Sequence, residues 1–146
     1  MLKLYLDNCC YNRPFDDLRQ EKNNLEAQAI KFIIDRCCKD EFKIYTSEAI
    51  VFEMINIKDQ IKKAKVIEVY NKLDLINIPF SKNIIKRAIE IRKYNIKDMD
   101  SLHIAYAESS KVDYLITTDK LLVNASSRVN LEVKIINPIN FVMEVI

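Results

Sequence analysis

Acidic side chains stand where apolar segments of this sequence end, and their placement suggests shared chemistry. Asp7 follows an alternating apolar stretch at the start of the chain, and Asp119 follows another apolar run late in the chain. Further acids lie in helical patterns between them: Glu48, Glu53, Asp98 and Asp100. Ligands of open parallel sheets bind beyond the carboxyl ends of the strands. The sequence therefore predicts that separate segments deliver carboxylates to one edge of a sheet.

Carboxylates gathered at one edge raise one another's pKa unless a cation compensates their charge. Oxygen ligands of this kind favour Mg²⁺ or Mn²⁺ over zinc or copper. The chemistry that suits such a site is hydrolysis of a phosphodiester, in which the metal ion activates water and neutralises charge on the phosphate. That reaction needs no covalent protein nucleophile.

Each acid also has a simpler structural role. Glu48 suits the first turn of a helix, where a negative charge favours the helix dipole. Glu53 is flanked by two large apolar residues within a helical pattern and is the better ligand candidate of the two. Asp119 could be an ordinary helix N-cap. Spacing alone leaves Asp98 and Asp100 equally good as cap or ligand.

Apolar periodicity predicts the elements that position these acids. Strands are predicted at 2–6, 42–46, 75–79, 114–117 and 133–136, and helices near 21–39, 47–57, 59–73, 81–91, 100–107 and 119–124. Asn12 to Pro14 is predicted to be a turn, and Ser47 and Ser81 are predicted N-caps. Such alternation predicts a mainly parallel sheet covered by helices on both faces.

Composition limits the class of protein. The 146 residues, 49% of them hydrophobic, predict one domain spanning 1–146 with its own core. No apolar run approaches the ~20 residues that cross a bilayer, and the start is unlike a signal peptide, so we expect a soluble cytoplasmic protein without a membrane partner. The absence of glycine argues against Walker and dinucleotide-binding loops. The two adjacent cysteine pairs lack zinc-site spacing and are predicted to be reduced thiols.

Four segments together resemble the PIN domain, in a branch of bacterial and archaeal proteins related to type II toxins. These segments are YLDNCCYNRPFDD, SEAIVFEMI, DSLHIAYA and LITTD. The likeness extends from Leu4 to about Pro138 and rests on the order and spacing of the motifs. It implies a PIN-like three-layer α/β/α sandwich around a central, mainly parallel, five-stranded sheet.

The resemblance also implies which residues form the site. It carries over four catalytic and metal-binding acids: Asp7, Glu53, Asp100 and Asp119. The first three are the usual metal shell of the family, and the fourth completes it or supports a second ion. Thr117 corresponds to a polar neighbour that orients water or a carboxylate. Asn8 stands where many relatives have a small hydroxyl residue, so it is a supporting candidate.

Other residues are candidates for supporting roles. His103 lies three residues after Asp100 and so on the same helical face; a packed or supporting histidine is favoured over a general base, because metal-activated water needs none. Candidate phosphate contacts are Arg13 and a basic stretch that could equally be ordinary surface: Lys86, Arg87, Arg92, Lys93 and Lys97. Nearby aromatic residues could stack on bases, although core packing is their default role: Tyr5, Tyr11 and Phe15.

The leading hypothesis is a Mg²⁺- or Mn²⁺-dependent endoribonuclease that cuts single-stranded or structured RNA. The resemblance implies products with a 3′-hydroxyl and a 5′-phosphate, a role as the toxin of a toxin–antitoxin pair with a small antitoxin partner, and a homodimer. An alternative is a non-catalytic RNA- or protein-binding module that has kept the fold. A phosphohydrolase with Asp7 as nucleophile is disfavoured, because Cys9 stands where a second Asp is needed.

Overall fold

Strands and helices alternate along the chain in a computed structural model that describes residues 1–146. The strands are β1 (Leu2–Leu6), β2 (Phe42–Thr46), β3 (Ile76–Asn77), β4 (Tyr114–Ile116) and β5 (Lys134–Ile136). The helices are α1 (Asn8–Asn12), α2 (Glu21–Cys38), α3 (Glu48–Ile55), α4 (Gln60–Lys72), α5 (Lys82–Arg92), α6 (Asp98–Ser109), α7 (Lys120–Ser126) and α8 (Pro138–Val145). None of the helices combines the length and the apolar character required to span a membrane.

The five strands form one sheet in the order β3-β2-β1-β4-β5, and all four pairings are parallel. The predicted parallel five-stranded sheet is therefore confirmed. From the central β1 the chain moves outward to β2 and β3, then returns to place β4 and β5 on the other side. The strand order thus reverses between β1 and β4, which is where open α/β sheets bind their ligands.

Both faces of the sheet are covered. Successive residues of a strand point to opposite faces, and three successive residues of β1, namely Leu4, Tyr5 and Leu6, are all fully buried. Helices pack on one another outside the strands, with the closest pairs being α5 with α6 and α2 with α8. This arrangement is the α/β fold with a three-layer architecture that the sequence predicted.

Two segments are helical although no helix was predicted for them. The predicted turn at Asn12 to Pro14 is instead the end of α1 and a short 3₁₀ helix, Arg13–Phe15. Neither element is long enough to show a helical period of apolar residues. At the other end of the chain, Pro138 begins α8 as a helix-starting proline, and Phe141 of this helix is fully buried against the rings of Phe42 and Tyr114.

Three helices are followed, within three residues, by a residue with a left-handed backbone. Asp40, Asn95 and Lys111 follow α2, α5 and α6, with φ of 59°, 62° and 54°. Glycine usually fills this position because it has no Cβ to clash. Asp and Asn tolerate the conformation through their short polar side chains, whereas Lys does not. Of the three residues, Lys111 is therefore the one whose side chain fits the left-handed conformation least well.

We expect Lys111→Gly to stabilise the protein. Relief of the Cβ clash should outweigh the added flexibility of the unfolded chain and raise the free energy of unfolding by about 1 kcal/mol. Urea denaturation would measure the change. Lys111→Ala is the matched control, because it removes the same side chain and keeps the Cβ; equal stability of the two variants would contradict the explanation.

Candidate metal centre

A cleft of about 480 Å³ lies beyond the carboxyl end of β1. It is lined by all four acids that the family resemblance implied: Asp7, Glu53, Asp100 and Asp119. These acids come from the end of β1, from α3, from the first turn of α6 and from the start of α7. Glu48 is exposed outside this cleft, and Asp98 forms an ion pair with Arg92. The structure therefore brings one acid from each ambiguous pair into the cleft.

Asp7 is held by hydrogen bonds on both carboxylate oxygens. It is buried, with 7% of its surface exposed, and it caps the N-terminus of α1. Its Oδ1 accepts a hydrogen bond from the Asn8 N–H at 2.8 Å, and its Oδ2 accepts one from the Thr117 hydroxyl at 2.9 Å. The Asp7 N–H donates to the Ile116 carbonyl at 2.9 Å. The orientation of this carboxylate is consequently set by the pairing of β1 with β4.

Thr117 connects two of the acids. Its hydroxyl is fully buried, donates to Asp7 and accepts the Asp119 N–H at 3.1 Å. Asp119 in turn uses Oδ1 to accept the N–H groups of Leu121 and Leu122, at 3.0 and 3.3 Å, as the N-cap of α7. Its Oδ2 makes no hydrogen bond within the protein. Asp119 therefore fills the predicted cap role and also presents a free oxygen from the wall of the cleft.

A chain of buried polar groups leads to Glu53. The Ser47 hydroxyl lies 2.6 Å from the Tyr5 hydroxyl, which lies 2.7 Å from Nδ1 of His103. On the other side of the ring, Nε2 of His103 contacts Oε1 of Glu53 and lies 3.9 Å from Oδ1 of Asp7. Ser47 occupies the predicted N-cap position of α3, but its side chain bonds to Tyr5 instead of capping the helix.

The direction of hydrogen bonding along this chain follows from the chemistry of its members. Burial raises the pKa of Tyr5 well above its ordinary value, so the phenol keeps its proton and can donate to Nδ1 of His103. In the neutral tautomer of His103 that accepts this bond at Nδ1, Nε2 carries the single ring proton and donates it to Glu53. Ligand atoms of Asp7, Glu53 and His103 lie within 4.8 Å of one another, close enough together to hold a metal ion.

The electrostatics of the cleft show uncompensated negative charge. Burial and the neighbouring charges of Asp7 and Asp119 raise the pKa of Asp100 to about 6. Burial alone would lower the pKa of His103, but the hydrogen bond to Glu53 and the charge of Asp7 outweigh it and raise the pKa. A cation in the cleft would lower the pKa of both groups and so oppose both shifts.

Two amide oxygens of the cleft are buried without a hydrogen-bond partner. These atoms are Oδ1 of Asn8 and Oδ1 of Asn12. Together with the carboxylates they form an oxygen-rich donor set of the kind that Mg²⁺, Mn²⁺ and their bound waters require. The residues present therefore fit a hard divalent cation.

Basic residues of the cleft differ in part from those that the sequence suggested. Arg13 lines the cleft, and its Nη1 lies 2.7 Å from Asp16. Lys62 of α4 also lines it and pairs with the same carboxylate. The sequence analysis did not identify Lys62. Its contact with Asp16 joins residues 46 positions apart, and no local sequence pattern indicates it.

The remaining predicted contacts lie outside this cleft. Lys86 is exposed on α5, and Arg87 is bound by Glu108 and Glu90 at 2.7 and 3.1 Å. Tyr5 and Tyr11 are buried, with 0% and 1% of their surfaces exposed, so neither ring is free to stack on a base. All four cysteines are free thiols, as expected.

Comparisons with known proteins agree with this description. The family model of the PIN domain matches residues 17–126. The crystal structure of PAE2754 from Pyrobaculum aerophilum superposes with a TM-score of 0.55 at 15% sequence identity, covering 98% of this chain and 88% of that one. At that identity the likeness concerns the fold alone. No curated protein matches the chain.

The raised pKa of Asp100 predicts how stability depends on pH. Above about pH 6 the folded protein carries a charged Asp100 that its surroundings disfavour, and it takes up a proton as the pH falls from there towards 3.8. This group therefore destabilises the metal-free protein at neutral pH and ceases to do so in acid. We expect Asp100→Asn to raise the melting temperature in EDTA at pH 7.5 by about 3 °C, and by less at pH 5.

Asp98→Asn is the matched control, because it makes the same substitution two residues away at an exposed ion pair. We expect no gain in melting temperature from it. Scanning calorimetry would compare the variants. A stabilisation by Asp100→Asn that stays constant from pH 7.5 to pH 5 would show that charge repulsion is not its source.

Proposed function

The chain belongs to the PIN domain family, and we propose that it is a metal-dependent endoribonuclease that hydrolyses RNA phosphodiester bonds. The observation that carries this proposal is the gathering of four carboxylates from four separate segments in one cleft. A non-catalytic member of the family could lose these acids without loss of the fold. Retention of the complete set supports catalysis over the alternative of a binding module.

We propose that Asp7, Glu53 and Asp100 hold the first Mg²⁺ or Mn²⁺ ion and that Asp119 completes the shell. When bound, such an ion lowers the pKa of water and neutralises charge on the phosphate. Oxygen donors suit these ions better than nitrogen does. Because both nitrogens of His103 are already engaged, its role in this proposal is to position Glu53.

Neighbouring residues would prepare the cleft for water and substrate. Thr117 holds the carboxylate of Asp7 in one orientation through its hydroxyl. The side chains of Asn8 and Asn12 line the same cleft, and their amide oxygens have no hydrogen-bond partner within the protein. Arg13 and Lys62 also line the cleft and share the carboxylate of Asp16, so a phosphate would compete with that carboxylate for their charges. From the family resemblance we expect products with a 3′-hydroxyl and a 5′-phosphate.

We further propose that the nuclease is the toxin of a toxin–antitoxin pair. The support is the resemblance of its motifs to the branch of the family related to type II toxins. A small antitoxin protein would then be its physiological partner. A neighbouring reading frame for a small DNA-binding protein would favour this role over that of a housekeeping nuclease.

We expect the protein to cleave RNA with Mg²⁺ or Mn²⁺ and to be inactive in EDTA. Asp7→Asn should lower the rate at least about 100-fold, because loss of a ligand costs no less than loss of one of its supporting partners. Cleavage of a circular single-stranded RNA, followed on denaturing gels, would measure the rate. A circle has no ends, so its conversion to a linear product identifies internal cleavage.

Asp98→Asn serves as the control for this assay, because that acid lies outside the cleft. It should retain the activity of the wild type. Equal cleavage by wild type and Asp7→Asn would refute the metal-centre proposal. RNA binding without cleavage under any metal condition would favour the non-catalytic module.

The proposed role of His103 predicts an effect of Tyr5 on metal binding. Tyr5→Phe removes the donor to Nδ1, which frees the histidine ring to change tautomer and release Glu53. We expect Mn²⁺ affinity, measured by electron paramagnetic resonance of the free ion, to fall about tenfold. Tyr11→Phe is the control, because that hydroxyl is equally buried and makes no hydrogen bond. The positioning role fails if the two variants bind Mn²⁺ equally well.

A further inference from the structure

The cleft of the metal centre continues into two others. It shares Asp100 and Asp119 with a cleft of about 270 Å³ that is also lined by Lys97, Leu121 and Arg128. That cleft shares 95–97 with an open depression of about 1030 Å³, which reaches the end of α5. Three adjacent clefts therefore lead away from the carboxylates. We name the part lined by Lys97, Leu121 and Arg128 the α6/α7 groove.

Positive charge in this groove has no acidic partner, whereas the cations that line the metal centre itself are paired with acids. In the metal centre, Arg13 and Lys62 share the carboxylate of Asp16, and Glu26 lies 3.2 Å from Nε of Arg13. Lys97 and Arg128 are both exposed and form no ion pair within the protein. Arg128 makes one long hydrogen bond, from Nη2 to the Tyr94 carbonyl at 3.5 Å. An anion that reaches the groove therefore displaces no charged partner.

The groove also presents an apolar surface beside its charges. Leu121 follows Asp119 by two residues and is 74% exposed. Cations alongside an exposed apolar side chain suit a single strand, which offers phosphates and unstacked base faces together. A duplex keeps its base faces stacked inside, where an exposed apolar side chain cannot pack against them. The protein's net charge of +2 supplies no overall attraction, so binding must come from local features of this kind.

We propose that the α6/α7 groove is the track that single-stranded RNA follows on one side of the scissile bond. Lys97 and Arg128 contact phosphates there, and Leu121 packs against a base or a ribose. This assignment rests on the proposed function for the position of the scissile bond. The strand is held mainly in this groove, because the cations that line the metal centre, Arg13 and Lys62, are already paired with Asp16.

The test is the salt dependence of RNA binding. A fluorescently labelled single-stranded RNA is titrated with protein that carries Asp7→Asn, so that the RNA stays intact. Each phosphate contact on a single strand contributes about 0.7 to the slope of log affinity against log salt. Adding Lys97→Ala and Arg128→Ala should therefore lower the slope by about 1.4, with an affinity loss of about tenfold or more near 0.1 M salt.

The matched control adds Lys31→Ala and Lys65→Ala to the same Asp7→Asn protein. Both lysines are exposed, form no ion pair and line none of the three clefts. The control removes the same net charge and should keep the slope of its parent. The proposal is overturned if the two double changes weaken binding equally, if the groove variant keeps the full slope, or if duplex RNA competes as well as single-stranded RNA.

The experiments distinguish refutation of the RNA track from refutation of the proposed nuclease function. If the variant with Lys97→Ala and Arg128→Ala shows the expected smaller salt dependence of RNA binding while the wild type never cleaves RNA, the result supports the RNA track and refutes the nuclease proposal. If the wild type cleaves RNA and neither Lys97 nor Arg128 affects binding, the nuclease stands and the track is wrong.

Discussion

Negative charges crowd one end of the sheet and repel each other, and the surrounding contacts hold them in place. Thr117 binds Asp7, and His103 binds Glu53. Both holding groups are buried, where a hydrogen bond is electrostatically stronger than in water. Burial, together with the residual repulsion from Asp7 and Asp119, raises the pKa of Asp100 to about 6. A divalent cation would cancel this repulsion, so metal binding and folding stability are coupled through the same few contacts.

The topology of the sheet makes this crowding possible. Asp7 and Thr117 are 110 positions apart in the chain, and they meet because β1 pairs with β4 at the reversal of strand order. Glu53 and Asp100 approach from helices that follow or precede other strands. No single segment carries the site, and none of these acids would lie near another without the complete sheet.

Local patterns in the sequence predicted the sheet and most helices, because alternation and helical periodicity record which side of each element is buried. They also placed the acids at strand ends, and the family resemblance chose among them. Contacts between distant segments leave no such record. The pairing of Lys62 with Asp16, the bond from Ser47 to Tyr5 and the capture of Arg87 by Glu108 all depend on three-dimensional packing. Supporting and basic residues were therefore harder to foresee than the acids.

The protein contains no glycine, so a Cβ stands at every position of the backbone. Close approach of main-chain amides to a phosphate, as glycine-rich loops allow, is sterically restricted throughout. Recognition of the proposed RNA substrate would then fall mainly to side chains and to the N–H groups at helix N-termini. Each side-chain contact can be gained or lost through a single codon. If RNA is the substrate, as proposed, point mutations can change which RNA is preferred while the backbone stays the same.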